Sequence, residues 1–251
     1  MFDRFKEYKI KKMVKNKGLL VIVLFFLMTS CKEKDSCCDP TIKTTVTSTN
    51  SSTSDTISLE LRLNASGGKN VFIRQNSIGA NTSNYASYTY LVVDTWTNGG
   101  DTQLTRSLLD FNLSSIPSGV TISKAILVLY ADTTDVVYGG ETKADNGHST
   151  LSGPNNWLLE RITSAWTESA VTWNTQPTID TSINVPASVS RSQTYEIDVT
   201  NFIKDEIANP TLYYGFMLKL SNESPYRSLI FCSSRHQYST LSPALKITYM
   251  K

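Results

Sequence analysis

The chain has 251 residues, with 24 Lys/Arg against 22 Asp/Glu and only four cysteines and two histidines. Seven of the basic and two of the acidic residues lie within residues 1–30, which leaves 17 against 20 and a net charge of −3 for the rest. That balance gives no support to nucleic-acid binding, which needs a basic face to neutralise phosphates. It also leaves no Cys/His spacing that reads as a zinc site, because His148 and His236 stand alone in the sequence.

In chain order, the first element is a leader. Arg4, Lys6, Lys9, Lys11, Lys12, Lys15 and Lys17 precede an apolar run from Leu19 to Met28. At ~1.5 Å per residue this run covers ~15 Å, about half a bilayer core. Residues 1–30 therefore read as a signal peptide and not as a spanning helix. Translation from Met1 or from Met13 leaves a basic n-region. Thr29-Ser30-Cys31 resembles a bacterial lipobox, in which the Cys31 thiol receives diacylglycerol and the cysteine becomes the new N-terminus; the other reading is a secretory signal with a chance cysteine. Acyl chains hold such a protein on a membrane surface at about 0.8 kcal/mol per buried methylene. Lys32-Glu33-Lys34-Asp35 resembles the charged export tag of Bacteroidota lipoproteins, which implies an outer-membrane protein facing the cell exterior.

Residues 31–56 form the expected tether. Asp39 to Thr56 is rich in Ser and Thr and too poor in apolar residues to offset the entropy of ordering. Cys37 and Cys38 fall within it; together with Cys232 they make three thiols, which cannot all pair within one chain.

The folded domain is expected over residues 57–251. Ile57, Leu59, Leu61 and Leu63 alternate with Ser58, Glu60, Arg62 and Asn64, the period of a half-buried strand. Further strands are expected at Val71–Arg74, Tyr90–Trp96 (closed by the turn Asn98-Gly99-Gly100-Asp101), Leu104–Leu113, Ala125–Tyr130, Trp157–Ile162, Tyr195–Val199, Tyr214–Leu220, Ser228–Ser233 and Ala244–Tyr249. In Leu104–Leu113, Leu109, Phe111 and Leu113 form the predicted core face and Arg106, Leu108 and Asp110 the other; Ala125–Tyr130 is apolar on both faces and reads as a central strand. Val136 to Pro154 is a long polar insertion. One helical turn is expected around Ile203–Ala208, capped by Asp198 or Thr200 and ended by Asn209-Pro210. Many short strands separated by Gly, Pro and Asn turns mean an all-β domain, a single jelly-roll-like antiparallel β-sandwich with one short helix.

Trp166 to Pro177 reads W-x-E-x-x-V-T-W-N-x-x-P. This resembles the signature of the DNRLRE-type domain, a β-sandwich carbohydrate-binding module of secreted polysaccharide-degrading systems. Arg106–Phe111, Ser115–Gly119, Lys124–Tyr130, Asp198–Thr200, Tyr214–Leu218, Phe231–Ser234 and Pro243–Leu245 follow the family's order. The resemblance implies a polysaccharide ligand, no catalysis, and association with glycan-degrading enzymes or transporters. Asn70 stands where relatives often carry Asp.

Within the signature, Trp166, Glu168, Trp173 and Asn174 are expected as structural anchors, since indoles are costly to expose; a sugar-stacking role for the two tryptophans is the competing reading. Candidates for the ligand are Arg74, Trp96, Arg106, Tyr226 and Arg235, with Tyr85, Tyr88 and Arg227 beside them. Aromatic faces suit sugar C–H edges, and arginines suit carboxylates if the glycan carries uronates. No cofactor is expected, though the sequence leaves room for a structural Ca2+. A lyase or glycosidase needs two facing carboxylates, and nothing in the sequence places Glu160, Glu168, Asp110 and Asp198 together. A surface domain that binds a protein partner is the third reading.

Overall fold

The computed structural model describes residues 55–76, 81–134 and 147–251, and the backbone of Lys43–Val46. The leader, Cys31, Cys37, Cys38 and residues 136–146 of the polar insertion lie outside the described residues. Everything described belongs to one compact unit, Asp39–Lys251, and no helix in it is long and apolar enough to cross a membrane.

Alternation in the sequence becomes rows of side chains in space. The strands are β1 (Lys43–Val46), β2 (Thr56–Arg62), β3 (Gly68–Asn76), β4 (Tyr90–Asn98), β5 (Asp101–Phe111), β6 (Thr121–Leu129), β7 (Trp157–Ile162), β8 (Ile179–Val185), β9 (Tyr195–Asp198), β10 (Phe216–Leu220), β11 (Arg227–Cys232) and β12 (Ala244–Met250). One sheet has the order β1-β2-β12-β6-β9; the other runs β11-β4-β5-β10-β7-β8, with β3 paired to β5. β12 sits between β2 and β6, so Leu61, Leu245 and Leu127 form one row and Leu59, Ile247 and Ala125 the next. These side chains meet Leu109, Leu159, Phe216, Leu218 and Phe231 of the other sheet in the main core. The molecule is an antiparallel β-sandwich, as the period-two pattern requires. Beyond its last residue β6 continues into contact with β11, through Cys232 N–H to Tyr130 O (2.9 Å) and Asp132 N–H to Ile230 O (3.0 Å). The two sheets are thus joined along one seam.

A second apolar cluster covers the opposite face of β5. Leu108, Val71, Ile73 and Met217 pack there with Ile162, and the loop after β7 contributes Trp166 and Val171. β5 is therefore buried on both faces at its C-terminal half, because the signature loop folds back over it. Gly215, at φ 92°, opens β10 where a Cβ would lie 2.1 Å from Leu109 O.

Four details differ from the sequence reading. Lys43–Val46, inside the stretch expected as coil, pairs with β2 as an edge strand; an edge needs main-chain partners and not an apolar face. β8 was not foreseen because six of its seven residues carry no buried side chain, so it lacks an apolar period. β6 lies next to the sheet edge, with Lys124 exposed and Ile126 half-buried, and is not covered throughout. The helix α1 (Thr200–Ala208) has Val199 at its N-cap without a side-chain cap bond. Asp198 instead accepts the Thr200 N–H (2.9 Å), and Thr200 Oγ1 accepts the Ala125 N–H (2.9 Å), fastening the helix to β6.

Candidate functional site

Ladder register places several of the expected ligand residues side by side. Arg74 faces Thr105, Thr105 faces Asp94, and Asp94 faces Ser228 across β3, β5, β4 and β11. Two residues further along, Asn76 faces Gln103 and Gln103 faces Trp96. Directly paired residues share a face, as do residues two apart on one strand, so these two rows lie on one surface about 7 Å apart. Thr105, Asp94 and Ser228 are buried at its base, whereas Arg74, Asn76, Gln103 and Trp96 are half-buried.

Aromatic rings frame the rows at both ends. Tyr226 precedes β11, and its ring stands edge-on to Trp96 at 5.3 Å. Its N–H donates to Thr95 O (2.8 Å), and its phenol meets Thr97 Oγ1 at 3.3 Å. The backbone there is left-handed, φ 64°, the only non-glycine case among the described residues. For a bulky side chain this conformation costs about 1–2 kcal/mol. At the other end Phe72 is buried under Tyr85 (stacked, 4.5 Å) and Tyr88 (5.1 Å, edge-on). Tyr88 is 41% exposed. The Arg74 guanidinium lies over Phe72 (5.3 Å) and Tyr85 (5.5 Å), with Nε donating to Thr105 Oγ1 (3.0 Å). Burial, and then neighbouring Tyr88, pushes the Tyr90 phenol up, with Arg74 opposing; it is a neutral hydroxyl in this cluster. The surface carries ring faces that suit sugar C–H edges, amides that suit hydroxyls, and the Arg74 guanidinium.

Arg106 and Arg235 stand elsewhere. Arg106 pairs with Ile73 in the ladder and so faces away from Arg74. It donates to Glu223 (2.9 and 3.1 Å) and to Gln176 Oε1 (2.9 Å), and lies over Trp173 at 4.5 Å. Arg235 clasps Glu168 with two bonds, 3.0 and 2.9 Å. Burial pushes the Glu168 carboxyl up, but Arg235 and the Asn70 N–H outweigh it and hold it below its ordinary range. Arg227 is spent on carbonyls of Pro154, Ser224 and Ser152. Guanidinium groups held this way brace loops.

The signature residues divide likewise. Trp166 is buried and donates from Nε1 to Tyr214 O (2.7 Å), while Lys69 caps its ring at 4.2 Å. Trp173 is only half-buried at the rim of the second cluster, in contrast to the core position expected for it. Asn174 is exposed and contributes its N–H to Asn81 O (3.2 Å). The four carboxylates weighed for catalysis go to separate partners: Glu160 to Lys219, Glu168 to Arg235, Asp110 to Lys69, and Asp198 to Thr200.

Asn76 and Gln103 escaped the sequence reading, although the turn at Gly99-Gly100 pairs Asn98 with Asp101 and so fixes Trp96 opposite Gln103. His236, isolated in the sequence, lies beside Asp132 and Cys232, all three buried, with one potential ligand atom from each within 4.8 Å of the others. Burial, and then the Asp132 carboxylate, pushes the Cys232 thiol up to about 12.

No curated protein matches the chain. A family model does, over residues 63–249, which takes in the larger sheet, strands β6 and β9 and nearly all of β12 of the other, the signature loop and both aromatic groups. That match extends over most of the sequence, and on it the chain belongs to carbohydrate-binding module family 96.

Proposed function

We propose that this protein is a non-catalytic, cell-surface lipoprotein that holds a polysaccharide across the β3-β5-β4-β11 face. The observation that carries this reading is the pairing of Trp96 with Tyr226, two solvent-reached rings brought together through a strained backbone. Strain of that kind persists only where surrounding structure sustains it, and it concentrates at ligand clamps. Sugars stack on these rings and on Tyr85 and Tyr88, Asn76 and Gln103 bond their hydroxyls, and Arg74 pairs with the carboxylate of a uronate. The lipid on Cys31 and the tether present this face to the exterior, near glycan-degrading enzymes or transporters.

Mobility retardation in gels containing alginate, polygalacturonate or a neutral glucan tests the reading. Retardation that is lost in Trp96→Ala and Tyr226→Ala, with the melting temperature kept, is the expected result. Loss in Arg74→Ala, together with weakening as salt rises and the Debye length shrinks from about 10 Å at 0.1 M to about 3 Å at 1 M, marks a uronate ligand. Salt-independent retardation by the neutral glucan marks a neutral one, a reading favoured by the commitment of Arg106 and Arg235 to Glu223 and Glu168. Failure of every glycan to retard the protein overturns the proposal. The anchor is tested separately: Cys31→Ala shifts the protein from the detergent phase to the soluble fraction.

A further inference from the structure

We propose that Asp132, Cys232 and His236 form a binding site for a thiophilic divalent cation, Zn2+, at the seam between the two sheets. The residues come from distant parts of the sequence: Asp132 from the extension of β6, Cys232 from the end of β11, and His236 from the turn after it. Their side chains are buried, and one donor atom of each lies within 4.8 Å of the other two. His236 Nε2 is 3.7 Å from Asp132 Oδ1, too far for a hydrogen bond. Within the described residues, Asp132 Oδ2 and His236 Nε2 have no hydrogen-bond partner. Buried polar atoms without partners are costly, and these two belong to residues clustered with a thiol.

The surroundings orient the ligands. Thr134 donates to Asp132 Oδ1 through its N–H (2.9 Å) and hydroxyl (2.6 Å), which leaves Oδ2 for the cation. Such outer contacts are the usual means of aiming a carboxylate ligand. The Tyr238 N–H meets His236 Nδ1 at 3.2 Å and turns Nε2 towards the cluster. Binding moves the ring proton to Nδ1 and gives up this neutral hydrogen bond, together with the weak Cys232 Sγ–H bond to Ala131 O (3.7 Å). It also releases the Cys232 proton to solvent as the S–Zn bond forms, with no change of oxidation state. A thiolate, an imidazole and a carboxylate suit Zn2+ and not Ca2+, which takes six to eight oxygens. A solvent water completes the coordination.

The position suggests a structural staple. Cys232 and Asp132 belong to the strand contact that joins the sheets, and Ser233 Oγ donates to Tyr88 O (2.9 Å) next to the aromatic cluster. The inference does not depend on the glycan reading.

The test is metal analysis of the purified full chain after dialysis, with thermal melts at rising Zn2+ and a Co2+ spectrum. About one Zn2+ per chain, a melting temperature that climbs with added Zn2+, and a thiolate-to-Co2+ charge-transfer band are expected. Cys232→Ser and Asp132→Asn should abolish the band and the Zn2+-dependent shift, while Cys37→Ser/Cys38→Ser keeps both. If either single variant fails to fold, protection of the Cys232 thiol from alkylation in the Cys37→Ser/Cys38→Ser protein, lost on chelation, decides the matter. Absence of the band and the shift from the parent protein, or their loss only in the Cys37→Ser/Cys38→Ser variant, overturns the assignment.

Discussion

Arg106 and Glu223 meet in a two-pronged ion pair, with Nε 2.9 Å from Oε1 and Nη2 3.1 Å from Oε2. The pair joins β5 to the loop between β10 and β11, and that loop ends at Tyr226. Gln176 and the Trp173 ring hold the same guanidinium from the signature loop. Arg106 thus braces the loop that carries Tyr226 while facing away from Arg74. Arg106→Ala and Glu223→Ala should each destabilise the domain, and the double variant should cost less than their sum. A coupling energy of about 0.5–3 kcal/mol is expected for such neighbours. Urea unfolding of the four proteins measures it, and strict additivity would show that the pair contributes nothing.

Trp166 and Trp173 should behave differently. Trp166 is 7% exposed and its N–H is bonded, so Trp166→Ala should cost about 3–5 kcal/mol. Trp173 is half-buried, and the overlying Arg106 makes a cation–π contact with it of about 0.5–2 kcal/mol. Its truncation should shift the unfolding midpoint less; equal losses would contradict the burial difference.

Tyr226→Gly separates stability from binding. Glycine relieves the left-handed backbone strain at φ 64°, about 1–2 kcal/mol, and loses an aromatic edge contact of about 0.5–1.5 kcal/mol. The melting temperature should barely move while glycan retardation falls. A variant that binds as the parent does would remove Tyr226 from the site.

Two buried groups set the pH dependence of stability. Burial, with the Asp110 carboxylate adding, pushes Glu206 up to about 9. Its contribution is complete below its ordinary 4.5 and is lost as pH rises through 9. Burial pushes His148 down to about 4, against the opposing Gln193 carbonyl. Its neutral ring contributes above its ordinary 6.5, and that contribution is lost as pH falls through 4. Between pH 4.5 and 6.5 the two slopes oppose each other; above 6.5 the His148 contribution is complete, and Glu206 should make stability decline by about 3 kcal/mol towards pH 9. Urea midpoints at about pH 6 and pH 8.5 check the sign. Glu206→Gln should flatten the decline, and a parent protein equally stable at both pH values would contradict it.

Most strands could be read directly because side-chain alternation is a local property: Ile57, Leu59 and Leu61 face one way in any strand that contains them. The Trp166 signature was equally legible, since an indole with one N–H to satisfy seeks burial wherever the chain runs. β8 and β1 were not, because an edge strand is defined by the neighbour it borrows hydrogen bonds from.

The candidate site shows the same division more sharply. Its residue types are visible in the sequence, and the tight turn after Asn98 even fixes Trp96 opposite Gln103. The pairing of β3 with β5 is a long-range register, and a shift of one residue would exchange Arg74 for Ile73 on the ligand face. The partners Glu223 and Glu168, the approach of Tyr226 to Trp96, and the meeting of Asp132 with Cys232 and His236 all depend on how strands distant in the chain align. Composition and alternation specify which residues seek burial or a face, but only the closed sandwich, with every ladder in register, specifies which of them meet.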